Sequence, residues 1–126
     1  ANGLKGRLSE GLAALTSLGE LRLYDNALRG TLPAALAALT SLTVLYLYNN
    51  DFTGTIPELA ALTSLTLLQL DGNSLSGTIP ALAALSSLVD TDLRDNKLTG
   101  TVPELAGLVS LTQLARRLTN RRTCAH

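Results

Sequence analysis

The chain has 126 residues, 31 of them leucine, and its 10 basic side chains balance 10 acidic ones. That length suits one domain. Zero net charge gathers neither nucleic acid nor an anionic membrane, and no run approaches the roughly 18 consecutive apolar residues of a membrane span.

Aromatic residues make up 3% of the chain and Trp and Met are absent, so leucine rather than large rings has to fill the core. The N-terminus has no basic segment followed by an unbroken apolar run and no initiator Met, so it reads as a mature form or a fragment.

In chain order, a half unit comes first, residues 1–18. Its Asn2, Leu4, Gly6, Leu8, Leu12, Leu15 and Leu18 lie 24 residues before Asn26, Leu28, Gly30, Leu32, Leu36, Leu39 and Leu42, and Ser9 stands where later units have proline. Full units follow at about 19–42, 43–65, 66–88 and 89–111. The first reads Leu21-x-Leu23-x-x-Asn26-x-Leu28-x-Gly30-x-Leu32-Pro33. The asparagines recur at 26, 50, 73 and 96, steps of 24, 23 and 23, and the prolines at 33, 57, 80 and 103 keep the same steps. A period of this size means a solenoid, in which each unit buries its apolar side against its neighbours.

Within a unit the Leu-x-Leu pair alternates as a strand with one buried face does. Strands are expected near 20–24, 44–48, 67–71 and 90–94, with a weak one near 113–115. Stacked asparagines can bond to backbone groups that the turns leave unpaired. The glycines at 30, 54, 77 and 100 permit a bend. Each proline then opens an Ala/Leu stretch expected to form a short α or 3-10 turn, with Glu58 or Glu104 at its start. The extra alanine of Ala34-Ala35 accounts for the longer unit. Arg116 falls where a core leucine belongs, so the solenoid is expected over 1–115 and a basic tail over 116–126.

These repeats resemble leucine-rich repeats of the plant-specific type, and the resemblance runs from Asn2 to about Leu114. It implies an α/β, right-handed solenoid. A parallel concave sheet of four to five short strands would be backed by short helical turns, with a second short strand after each asparagine turn. It also implies a secreted or receptor-ectodomain setting, although the cysteine-bearing caps usual in that type are missing. The chain starts mid-unit, so the first leucine layer is open. Either the chain is a piece of a longer array, or neighbouring subunits cover that edge. Thr91 replaces a core leucine.

Residues beside the strand leucines point away from the core. Across the sheet they form columns: Arg22, Tyr46, Gln69, Asp92; then Tyr24, Tyr48, Asp71, Arg94; flanked by Glu20, Val44, Leu67, Asp90 and by Asp25, Asn49, Gly72, Asp95. All three tyrosines of the chain fall here, and Tyr is a typical interface anchor. The candidate partner-binding residues are Arg22, Tyr24, Val44, Tyr46, Tyr48, Asn49, Leu67, Gln69, Asp71, Asp92 and Arg94. The C-terminal half of the face is acidic, which suits a basic partner patch, a solvated surface or, more remotely, a hard cation. On the other side Thr53-Gly54-Thr55, Ser76-Gly77-Thr78 and Thr99-Gly100-Thr101 are expected to stack in register, with Thr31 extending one column.

No catalytic constellation is expected. The only histidine, His126, and the only cysteine, Cys124, share the terminal tail and supply two ligands where zinc needs three or four. The expected function is non-enzymatic binding of a protein or peptide through the concave face. No metal or cofactor, no nucleic-acid partner and no direct membrane insertion are expected. Five strands give about 400 Å² of concave face, about half of the roughly 800 Å² a standard interface takes from each partner. The alternatives are a structural subunit of a larger assembly and, further off, a surface binder of ice or polysaccharide.

Overall fold

The structure, a computed structural model, describes residues 3–100. Expectations that fall on Asn2 or beyond residue 100 lie outside the described residues: the strand near 113–115, the second half of the last repeat, Pro103, Glu104, and the tail with Cys124 and His126.

Short strands alternate between two sides of the coil: β1 (Lys5–Arg7), β2 (Glu20–Arg22), β3 (Ala27–Thr31), β4 (Val44–Tyr46), β5 (Asp51–Thr53), β6 (Leu67–Gln69), β7 (Ser76–Thr78), β8 (Asp90–Asp92) and β9 (Lys97–Thr99). The even-numbered strands make one parallel sheet in the order β2-β4-β6-β8, with Leu21, Leu45, Leu68 and Thr91 side by side. Each strand stops two residues short of the expected end. The ladder nevertheless runs on: Leu23 N–H donates to the Tyr46 carbonyl (2.8 Å), Asp25 to Tyr48 (3.0 Å), Leu47 to Gln69 (2.9 Å) and Asn49 to Asp71 (2.9 Å). Strand geometry ends because Asp25, Asn49, Gly72 and Asp95 all turn left-handed, with φ of 55, 56, 68 and 56°. Asp, Asn and Gly are the residues that tolerate that region. A side chain at Gly72 would also run into the Asn49 side-chain oxygen.

The following asparagine locks the turn. The Asn50 amide donates to the carbonyls of Leu47 (3.1 Å) and Tyr48 (3.3 Å) in its own unit and to that of Leu23 (2.9 Å) in the unit before, while its oxygen accepts from Leu28 N–H (3.1 Å). Asn73 and Asn96 repeat this pattern. Buried backbone groups left open by the turn are thereby satisfied, as burial demands.

The convex side is built from turns closed by i→i+3 hydrogen bonds between successive leucines, such as Leu62 N–H to Leu59 O (2.9 Å) and Leu65 N–H to Leu62 O (3.0 Å). Among the described residues, the half unit and the first full unit extend these into 3-10 helices, Glu10–Ala14 and Ala34–Ala38. The extra residue adds one more bond, Leu12 N–H to Ser9 O and Leu36 N–H to Pro33 O (both 3.1 Å). The described 23-residue units keep the i→i+3 turns without lengthening them, so the short turns expected after Pro33, Pro57 and Pro80 are present and only their length differs. Pro33 occupies the N-cap in extended geometry (φ −71°, ψ 146°) rather than the first helical position. Ser9 takes the same place and accepts from Gly11 N–H (2.9 Å).

The remaining strands form the sheet β1-β3-β5 and the pair β7-β9, joined by a bridge between Thr55 and Ser76. Here the register differs from that of the concave sheet. Arg29 pairs with Asp51 and Thr31 with Thr53, an offset of 22 residues (51 minus 29) where the repeat advances 24. Each unit therefore slips by two residues, and the expected two-column threonine array is not formed: Thr55 faces Ser76, and Thr78 faces Thr99. The glycines make the slip possible. A Cβ on Gly54 would lie 2.8 Å from the Thr31 methyl, and one on Gly77 would lie 2.8 Å from the Thr55 methyl.

Between the sheets runs a continuous leucine spine. Leu36, Leu39, Leu42, Leu47, Leu62, Leu65, Leu82 and Leu85 are fully buried, and Phe52 joins them. Toward the N-terminal end the layer opens: Leu12, Leu18 and Leu21 are half-buried, while Leu4 and Leu15 are 46% and 48% exposed. No helix among the described residues is long and apolar enough to cross a membrane.

Candidate functional site: the concave face

The alternation that buries Leu45 and Leu47 turns Tyr46 and Tyr48 outward. The columns read from the sequence are the observed ones. Glu20, Val44, Leu67 and Asp90 are paired in register, as are Arg22, Tyr46, Gln69 and Asp92. The backbone ladder carries Tyr24, Tyr48, Asp71 and Arg94 alongside.

At the N-terminal end the rings form one cluster. Tyr24 and Tyr48 stack with centroids 4.8 Å apart and planes 6° from parallel. Tyr46 meets both edge-on, 6.3 Å from Tyr24 and 5.7 Å from Tyr48. The Arg22 guanidinium lies 5.0 Å from the Tyr46 centroid while its Nε donates to Glu20 at 2.8 Å. Ring contacts of this kind are worth about 0.5–1.5 kcal/mol beyond burial. The three tyrosines thus form a pre-set platform rather than three independent side chains.

The next rungs are acidic. Arg94 is committed to Asp92, with Nε to Oδ1 at 3.0 Å and Nη2 to Oδ2 at 2.7 Å. Asp71 lies between this pair and Tyr48. Its Oδ1 is buried without a hydrogen-bond partner. Burial, then the nearby Asp92 carboxylate, push the Asp71 carboxyl up from its ordinary value to about 6, and Arg94 only partly offsets this. The Tyr48 phenol is also raised, mainly by burial and then by Tyr24, Asp25 and Asp71. Among the described residues no group of three or more His, Cys, Asp or Glu side chains is placed to hold a metal ion.

The candidate residues are brought together on one face but differ in what they offer. Arg22, Tyr24 and Asn49 are exposed, while Tyr46, Tyr48, Leu67, Gln69, Asp71 and Arg94 are partly so. Val44, 5% exposed, and Asp92, 6% exposed, have little surface left to give. The Asn49 amide is tied to Asp25 Oδ1 at 2.8 Å, a bridge between two left-handed turns. The buried hydroxyl of Thr91, without a partner, was foreshadowed by its place in a leucine column. The left-handed positions were signalled by the Asp-Asn-Gly-Asp column itself.

Coiled units on an asparagine ladder, with a dry spine inside and variable side chains outside, define a repeat solenoid. The model for Leucine Rich repeats (2 copies) matches residues 40–87, and the chain belongs to the leucine-rich repeat family in its plant-type form. Solved structures of plant receptor ectodomains share the fold. The BIR2 ectodomain from Arabidopsis thaliana is 38% identical over 80% of this chain and 54% of its own, with a TM-score of 0.77. The ectodomain of the receptor kinase SOBIR1 from Arabidopsis thaliana is 30% identical over 95% of this chain and 64% of its own, with a TM-score of 0.78. The ectodomain of the Arabidopsis receptor kinase HAESA, solved with an IDA peptide hormone ligand, is 37% identical over 94% of this chain and 20% of its own, with a TM-score of 0.79. The chain thus spans 54% of the BIR2 chain and 20% of the HAESA chain. Among curated proteins none matches it.

Proposed function

We propose that the chain is a non-catalytic recognition module that holds a peptide or protein segment against its concave sheet. The tyrosine platform carries this reading. Three rings stand outward on adjacent rungs, already packed on one another, so little side-chain entropy is lost when a partner lands on them. Related ectodomains support it: HAESA is solved with a peptide hormone, and BIR3 is solved in complex with SERK2. The face is small for a whole protein, which favours an extended segment or one lobe of a larger interface.

The test is selection of binders from a displayed library of short random peptides, followed by rebinding to a variant carrying Tyr24→Ala, Tyr46→Ala and Tyr48→Ala. Capture should be lost while the melting temperature moves by only a few degrees. Unaltered capture rejects the reading. A second reading is a structural subunit fixed in a larger assembly. It requires the isolated chain to associate, which light scattering after size-exclusion chromatography decides.

A further inference from the structure

The two halves of the concave face are not chemically equivalent: one is aromatic and the other acidic. Tyr48 and Asp71 are neighbours in one column, since Asn49 N–H donates to the Asp71 carbonyl at 2.9 Å. Parallel strands lie about 4.8 Å apart. The flat π system therefore adjoins a carboxylate whose Oδ1 is buried and without a partner. The nearest cation, Arg94, spends Nε and Nη2 on Asp92. Around Asp71 stand Asp92, Asp95, Arg94 and Tyr48. Three carboxylates against one guanidinium leave this patch at a formal charge of −2 (one minus three). At the other end Arg22 Nε is matched by Glu20 and the guanidinium lies over Tyr46.

We infer that the segment held on this face presents a lysine or arginine side chain, with its cationic head between the Tyr48 ring and the Asp71 carboxylate. The inference rests on the concave-face reading and adds the chemistry of the occupant. A ring face and a carboxylate side by side attract a cation twice over, through the quadrupole and through a charge-assisted hydrogen bond. A long aliphatic stem also suits the site, because it can lie along the tyrosine platform while the charged head reaches the acid. Burial holds the Asp71 proton up to about 6. Discrimination for a basic side chain should therefore be full at pH 7.5 and weaken as the solution is taken to pH 5.

The experiment uses the whole chain and the peptides selected on it. Basic residues should dominate the recovered sequences. Replacing the basic residue of one peptide by norleucine should weaken binding to the parent chain by about tenfold or more. The same replacement should matter little to the Asp71→Asn variant, and Asp71→Glu should restore the difference. Peptides that need the tyrosines but show no basic preference, or keep it in Asp71→Asn, overturn this inference and leave the concave-face reading intact. Peptides indifferent to the tyrosines overturn both.

Discussion

Neighbouring residues of one rung have opposite roles. Leu45 and Leu47 are 1% and 0% exposed and belong to a column that repeats with little variation. Tyr46 and Tyr48, interleaved with them, belong to columns of mixed chemistry, from Arg to Tyr to Gln to Asp in one and from Tyr to Tyr to Asp to Arg in the other. The inward set fixes the shape and the outward set is free to specify a partner. In a stacked coil the two tasks are separable because the pleat sends alternate side chains to opposite faces. Stability should respond to one set and recognition to the other.

The largest effect should come from the spine. Leu47→Ala removes a fully buried side chain and should cost about 3 kcal/mol. Leu15→Ala, at a site 48% exposed, should cost less than about 0.5 kcal/mol. Denaturant melts of the two variants measure the contrast, and equal losses would mean that the N-terminal layer is as dry as the centre. The asparagine ladder comes next. Asn50→Ala strands the Leu28 amide and loses the donors to Leu23 and Leu47, a cost of about 2 kcal/mol. The corresponding change at the more open Asn26 should cost about half that.

Two changes should raise stability. Thr91→Val keeps the shape and removes a buried hydroxyl without a partner, a gain of about 1 kcal/mol. Asp71→Asn should gain somewhat less at pH 7, because the carboxylate is only partly buried and solvent screens much of the penalty. The sign follows from linkage. The folded carboxyl titrates near 6 and the unfolded one near 3.8. Between these values the folded chain holds more protons, so this group's contribution to stability falls as pH rises from about 4 to 6. The gain of Asp71→Asn over the parent should thus be full above pH 6 and vanish below about pH 4. A gain that persists in acid would point to packing rather than charge.

The sequence made the spine, the ladder and the membership of each outward column legible, because each depends on a residue type recurring at a fixed step. Register on the other side of the coil was not legible. The two-residue slip that breaks the Thr53/Thr55 array arises from how the Gly-x-Ile-Pro segments cross between units, and no side-chain pattern records it. Burial within the outward columns was also hidden. Val44 and Asp92 occupy the same kind of position as Gln69, yet neighbours cover them and not it. The charge state of Asp71 depends on its burial and then on where Asp92 and Arg94 place their ends, which spacing alone does not give.

The most direct test of recognition by the outward set places a photo-activatable phenylalanine on one side of the coil or the other, in place of Tyr46 or of Thr53. Each chain is then irradiated with a peptide selected on the parent. Cross-linking from position 46 and none from 53 is the expected result. Cross-linking from 53 alone would mean that the partner sits on the opposite sheet and that the tyrosine platform is not the site.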